Sequence, residues 1–378
     1  MRHFTLLIKP SGSDCNLDCK YCFYKDRAPE IGRGRQRMTD EVLERLIKDY
    51  MKLRFPVAGF SWQGGEPTLM GLDFYKRAVL LQKKYGAPSQ QVSNALQTNA
   101  ILLDDKWCRF LHDNNFLVGI SIDGPKEFHD YYRIDHSGSG TYDKVVRAIQ
   151  TCKEYKVEFN ILTLLNDKNA EHPNELFDFF IENGIKYLQF IPCVETDPAT
   201  GKVVDFSVTP QQYGEFLCRI FDRWYDYGPQ KLSIRDFDSI LSYCVTGKHT
   251  ICTFDKQCSQ YIVVEHTGDC FPCDFFVEPK WRLGNIFETP IEKLAASDKK
   301  RDFARAKQNL CNKCLLCRHL ALCRGGCMKD KTALDEHSSP ESYFCQSYKR
   351  FFDYAMPRFL QIAAAINAGS PVRTQPFL

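Results

Sequence analysis

Cys15-Asn16-Leu17-Asp18-Cys19-Lys20-Tyr21-Cys22 is a C-x3-C-x2-C loop that directly follows the apolar run Phe4–Ile8. The run reads as a first strand, so the three thiols sit at a strand's carboxyl end. Such short spacings let three thiolates converge on one inorganic centre. Three is one short of the four ligands of a structural zinc site or a fully ligated iron–sulfur cluster. Either a fourth ligand comes from elsewhere, or one metal position stays open. Zinc with a distant ligand, or merely buried thiols, are the plainer readings of the same spacing.

Working outward, further strand-like runs appear at 57–62, 92–98, 117–122, 158–164 and 187–190. Between them lie stretches with apolar residues at helical steps, such as Val42-Leu43-Leu46-Ile47 and Phe177-Phe179-Phe180-Ile181. Alternation of this kind predicts βα units and a parallel sheet, an α/β fold. Six strands are fewer than the eight of a closed barrel, so a partial barrel and a doubly wound sheet both fit. In either, chemistry belongs at the carboxyl ends of the strands.

Composition narrows the class. The chain has 378 residues, 44% hydrophobic and 26% charged, and a formal net charge of +3 from 50 basic and 47 acidic side chains. That balance gives no electrostatic case for nucleic acid or a membrane surface, and neither is expected as a partner. The opening residues, Met1 to Pro10, lack the apolar core of a signal peptide. No stretch approaches the ~18 apolar residues of a membrane span. A cytoplasmic, reducing location is therefore expected.

Eighteen cysteines in 378 residues are too dilute for a small disulfide scaffold, which runs to ~8–10%. Under reducing conditions clustered cysteines more often bind metal than pair as disulfides. Cys108, Cys152, Cys193, Cys218 and Cys244 are scattered singly and read as small buried hydrophobes. Ten more lie within residues 252–345, as Cys252-x5-Cys258, Cys270-x2-Cys273, Cys311-x2-Cys314-x2-Cys317-x5-Cys323-x3-Cys327 and Cys345. These could hold two four-thiolate centres, and spacing alone does not separate zinc from iron–sulfur. The change in cysteine density near residue 250 marks the best candidate domain boundary. The run Lys299-Lys300-Arg301 reads as a solvated helix face.

The cysteine loop, with Tyr21, Phe23 and Tyr24 around it, resembles the signature of the radical S-adenosylmethionine superfamily. Gly64-Gly65-Glu66-Pro67, Gln97-Thr98-Asn99 and Ser121-Ile122-Asp123-Gly124-Pro125 follow in order, each at a strand's carboxyl end. The cysteine-rich segment resembles the SPASM-type extension of peptide-modifying radical enzymes. From about Leu6 to Pro357 the chain resembles the anaerobic sulfatase-maturating enzymes. Trp62-Gln63-Gly64-Gly65-Glu66-Pro67-Thr68-Leu69, Pro272-Cys273-Asp274-Phe275-Phe276 and Lys280-Trp281-Arg282-Leu283-Gly284-Asn285-Ile286 carry that narrower likeness.

The resemblance implies a partial (β/α)6 barrel over residues 1–235, a cysteine-rich Fe–S domain over 236–350, and a C-terminal helix and tail over 351–378. It implies three [4Fe–4S] clusters and S-adenosylmethionine. Cys15, Cys19 and Cys22 would hold the first cluster, leaving one iron for S-adenosylmethionine. Cys252, Cys258, Cys273 and Cys327 would hold the second; Cys314, Cys317, Cys323 and Cys345 the third. Cys270 and Cys311 are extra thiols that leave this register open. S-adenosylmethionine would be held by Tyr21, Gly65, Ser121, Arg133 and Val194.

The implied reaction is oxidation of a cysteine or serine in an unfolded sulfatase to Cα-formylglycine. It needs a base and a nearby electron acceptor. Asp274 beside Cys273 supplies a carboxylate of the kind generally ionised at neutral pH. An electron donor such as a flavodoxin or ferredoxin is also implied. The alternative is another radical peptide-modifying enzyme, such as a thioether-forming peptide maturase.

Overall fold

The structure is a computed structural model and describes residues 3–24, 35–197, 199–331, 333–334 and 340–369. The tail beyond residue 369 therefore lies outside the described residues. Ten strands make up the sheets discussed below: β1 Thr5–Lys9, β2 Val57–Trp62, β3 Gln91–Thr98, β4 Leu117–Ser121, β5 Phe159–Leu165, β6 Tyr187–Pro192, β7 Ser233–Ile234, β8 Tyr261–Glu265, β9 Asp269–Phe271 and β10 Gly284–Asn285. The first six coincide with the strands expected from sequence, to within two residues at each end. The chain divides into two compact units.

The first unit comprises residues 1–121, 129–159 and 258–305. Its strands β1, β2, β3 and β4 pair in parallel, in that order. Parallel strands covered on both faces read as nearly continuous apolar runs, as β4 does with four consecutive buried residues. Trp62 on β2 is fully buried. Its indole donates to Asn94 Oδ1 at 3.0 Å, and Asn94 exchanges two bonds with buried Gln82. The helix Asp40–Met51 buries Val42, Leu43, Leu46 and Ile47, and Thr39 caps it by accepting from the Val42 N–H.

One feature of this unit was not expected. β8, from the cysteine-rich region, pairs in parallel with the open side of β1, placing Glu265 opposite Lys9. β9 and β10 then follow antiparallel. The segment 258–305 thus extends the sheet that carries the first cysteine loop.

The second unit comprises residues 122–128, 160–257 and 306–378. In it β5, β6 and β7 pair in parallel. Its core is aromatic, with Phe221 and Trp224 of helix Pro210–Tyr227 against Phe351 and Phe359 of helix Cys345–Asn367. A capping box between Thr209 and Gln212 starts the first of these helices. Among the described residues no helix is long and apolar enough to cross a membrane.

Candidate active site

In the first unit the three cysteines leave β1 on a loop that the next two strand ends hold in place. The turn after β2 sits directly on that loop. Gly65 N–H donates to Gly12 O and Glu66 N–H to Asp14 O, both at 2.8 Å. A Cβ built on Gly65 would lie 2.1 Å from Asp14 O, a backbone atom that cannot swing aside. This close approach is what requires glycine. Gly65→Ala is expected to cost on the order of 1–3 kcal/mol by overpacking and, by displacing the loop that carries Cys15, to slow cleavage of S-adenosylmethionine. Thermal unfolding and cleavage kinetics would check both effects, and a wild-type melting temperature would contradict the first.

Glu66 is fully buried, and its carboxylate ties the turn to the end of β3. Oε1 accepts from Thr68 N, Thr68 Oγ1 and Thr98 Oγ1, and Oε2 accepts from Asn99 N at 2.8 Å. Asn99 Nδ2 in turn reaches Asn16 Oδ1 at 2.8 Å and Cys15 Sγ at 3.8 Å. The Leu17 N–H approaches the same sulfur at 3.4 Å. Burial first, and then the Glu66 charge and the neighbouring Cys19 and Cys22, push the Cys15 thiol well above its ordinary value. Three thiols crowded on one loop, with Cys15 costly to ionise unaided, are the donor set a polynuclear cation suits, so the loop fits an iron–sulfur cluster.

Tyr21 is buried, with the Arg133 guanidinium 5.5 Å from its ring centroid and Tyr132 edge-on at 5.6 Å. Ser121 is buried at the end of β4. Tyr21, Gly65, Ser121 and Arg133 all belong to the first unit; Val194 belongs to the second. There its side chain is buried, and its carbonyl accepts from Lys329 Nζ at 2.6 Å.

Asp274 opens a short turn after Cys273 and joins the same constellation. Gln63 Nε2, one residue before the glycine turn, donates to Asp274 Oδ2 at 3.3 Å. Lys9 Nζ stands 3.6 Å from that oxygen, and Cys273 Sγ lies 3.7 Å from Oδ1. Tyr24 Oη donates to Glu265 Oε1 at 2.5 Å, while the buried Glu265 Oε2 accepts no hydrogen bond among the described residues. Burial pushes the Glu265 carboxyl up to about 7, opposed by the Tyr24 bond and the Lys9 charge.

Between the ordinary value of 4.5 and about 7 the unfolded chain releases this proton first. Stability should therefore fall as pH rises through that window. Glu265→Gln removes the ionisation. It should melt close to wild type near pH 4 and above it at pH 8, a gap that thermal unfolding across pH would show or refute.

In the second unit Cys314, Cys317, Cys323 and Cys345 line one cavity, together with His319, Tyr348 and Phe352. Burial pushes the Cys314 and Cys345 thiols up to about 12. Four thiols around one cavity fit a cluster with four protein ligands. Cys311, the extra thiol, is fully buried and hydrogen-bonds to Cys314. Cys270 is also fully buried, with its thiol 3.7 Å from the Gly268 carbonyl. Cys258 and Cys273 lie in the first unit and Cys252 and Cys327 in the second.

The basic run at 299–301 is a correction. Lys300 does not face solvent: it is 5% exposed, and its ammonium bonds Tyr261 O at 2.8 Å and Pro272 O at 3.1 Å. Its charge also acts on Cys258 and Cys273. The helix Asp298–Ala306 buries Lys300, Phe303 and Ala304, an i, i+3, i+4 face that the charge run concealed. Lys307 is similarly buried in the second unit, its ammonium on the carbonyls of Cys252 and Thr253. Of the scattered cysteines, Cys108, Cys152, Cys193 and Cys218 are buried as expected and Cys244 only partly.

Residues 10–180 match the radical SAM superfamily, and residues 252–318 match the iron–sulfur cluster-binding SPASM domain. The chain is thus a radical S-adenosylmethionine enzyme with a SPASM extension. It is 40% identical over 370 residues to the cysteine-type anaerobic sulfatase-maturating enzyme of Clostridium perfringens, covering 97% of this chain and 100% of that protein. It is 38% identical to the serine-type enzyme of Bacteroides thetaiotaomicron, covering 93% and 89%. The solved structure of native anSMEcpe with bound AdoMet and Cp18Cys peptide superposes with a TM-score of 0.89 at 40% identity, over 96% of this chain and 99% of that one. The chain belongs to the anaerobic sulfatase-maturating enzyme family.

Proposed function

We propose that this enzyme oxidises a cysteine or serine in an unfolded sulfatase segment to Cα-formylglycine, activating the sulfatase. The observation that carries the reading is the continuity of residues 63–66. Gly65 and Glu66 rest on the Cys15 loop, and Gln63 holds the Asp274 carboxylate. One short turn thereby joins the radical-generating loop to a base.

Iron–sulfur clusters and S-adenosylmethionine, when bound, would supply the one-electron oxidising chemistry needed at the substrate Cβ. Asp274 takes the proton from the substrate thiol or hydroxyl, so a thioaldehyde or aldehyde results. Water converts the thioaldehyde to the aldehyde and releases sulfide. Tyr21, Gly65, Ser121, Arg133 and Val194 are assigned to S-adenosylmethionine. Arg133 offers a guanidinium for its carboxylate.

The ligand sets for three [4Fe–4S] clusters are proposed as Cys15, Cys19 and Cys22; Cys252, Cys258, Cys273 and Cys327; and Cys314, Cys317, Cys323 and Cys345. The shared cavity supports the last set. Residues 1–235 would form the radical domain, 236–350 the auxiliary-cluster domain and 351–378 the C-terminal helix and tail. A cytoplasmic location and a flavodoxin or ferredoxin as electron donor complete the reading.

Anaerobic incubation with reductant, S-adenosylmethionine and paired cysteine and serine sulfatase peptides tests it by mass spectrometry. Aldehyde in at least one peptide is expected. No change in either would hand the lead to the peptide-crosslinking alternative.

A further inference from the structure

A lysine that ends a strand ordinarily reaches water, yet Lys9 is only 2% exposed. Burying an unpaired ammonium costs several kcal/mol, so such a group persists only with counter-charges around it. Here they are explicit. Nζ is 3.6 Å from the Asp274 Oδ2 carboxylate oxygen and 4.5 Å from the centroid of the electron-rich Tyr24 ring, and Glu265 is the backbone register partner of Lys9 on β8. Tyr24 is fixed in turn by its 2.5 Å bond to Glu265. The same Asp274 oxygen accepts from Gln63 Nε2.

We propose that Lys9 is a positioning residue for the reaction: its buried ammonium, seated over the Tyr24 ring, fixes the Asp274 carboxylate toward the substrate. The inference rests on the reading of Asp274 as the base. Strand β1 therefore contributes at both ends of the chemistry. Its last residue holds the base, and the loop that follows it carries Cys15, Cys19 and Cys22.

A carboxylate that loses one of two cationic or N–H partners at one oxygen is free to rotate. Misplacement of a reacting group by about 1 Å can cost ~100-fold. Hydrogen abstraction does not need the base, so the two halves of the reaction should come apart.

The test compares reconstituted holoenzyme with Lys9→Met, Asp274→Asn and the double variant. Iron content, 5′-deoxyadenosine and aldehyde are measured in the presence of peptide. Lys9→Met should keep its iron and cleave S-adenosylmethionine within about twofold of wild type, while aldehyde per 5′-deoxyadenosine falls about 10- to 100-fold. The double variant should be no worse in this ratio than Asp274→Asn alone, because Lys9 acts through that carboxylate. Losses that multiply would instead mean an independent structural role and overturn the proposal.

An unchanged ratio in Lys9→Met would also overturn it. Should Lys9→Met fail to retain iron, Lys9→Gln, neutral but still a hydrogen-bond donor, carries the same expectations and the same refutations. Full aldehyde yield from Asp274→Asn would sink the base itself. A low yield there with an unchanged ratio in the Lys9 variants would remove only Lys9.

Discussion

Cys15→Ala is expected to abolish S-adenosylmethionine cleavage. The thiol sits in a loop that offers three sulfurs and no spare, and two N–H groups, from Leu17 and Asn99, are already directed at its sulfur. Donors so placed stabilise a thiolate and orient a ligand. Changes to such outer partners alone typically cost ~10–100-fold in metal affinity or activity, so loss of the sulfur itself should exceed that. 5′-Deoxyadenosine formed under strong reductant is the readout. Iron should fall while the auxiliary-cluster signals persist, since Cys314, Cys317, Cys323 and Cys345 line a cavity of their own in the second unit. Cleavage at the wild-type rate would refute the assignment of Cys15. Cys270→Ala makes the contrasting case: its thiol faces the Gly268 carbonyl, and cleavage should continue.

The contrast between these two thiols shows where local pattern informs and where it stops. The first six strands were legible because each carries apolar residues in a short strand-length run bounded by turns, and β4, with four consecutive buried residues, is the plainest of them. β8 was not, although Tyr261–Glu265 is an apolar run of strand length, because it lies among closely spaced cysteines and turns with no helical stretch beside it to mark a βα unit. Its pairing with β1 is a long-range fact: Lys9 meets Glu265 across most of the chain.

The same distinction holds within the motifs. Gly65 could be marked as a close-approach glycine from its neighbours in sequence, but the Asp14 carbonyl that forbids a Cβ is some fifty residues earlier. Gln97-Thr98-Asn99 was visible as a strand-end turn. That Glu66 binds two of its members, and that Asn99 passes the connection to Cys15, required the fold. Lys300 erred in the other direction. Its charge, flanked by Lys299 and Arg301, outweighed the helical spacing with Phe303 and Ala304 that buries it.

Asp274→Asn should retain S-adenosylmethionine cleavage and lose most of the aldehyde. The substitution keeps the size of the side chain and its Oδ1, while Oδ2 becomes an NH2 or the amide turns over. In either orientation the proton acceptor is gone. The amide also brings a neutral group to Lys9 Nζ, which stands 3.6 Å from the present carboxylate oxygen and would lose its nearest counter-charge among the ion pairs described. General-base contributions run to ~10²–10⁴-fold, so aldehyde per 5′-deoxyadenosine should fall by at least about a hundredfold. Cys15 and its loop are linked to Asp274 through Gln63 and the glycine turn and through Lys9 at the end of β1, and the backbone bonds that seat the turn on the loop do not involve the carboxylate. Cleavage should consequently continue at near the wild-type rate, and the two products, normally formed together, should separate. Simultaneous loss of both would mean that Asp274 holds the site together rather than taking the proton. Full retention of both would place the base elsewhere.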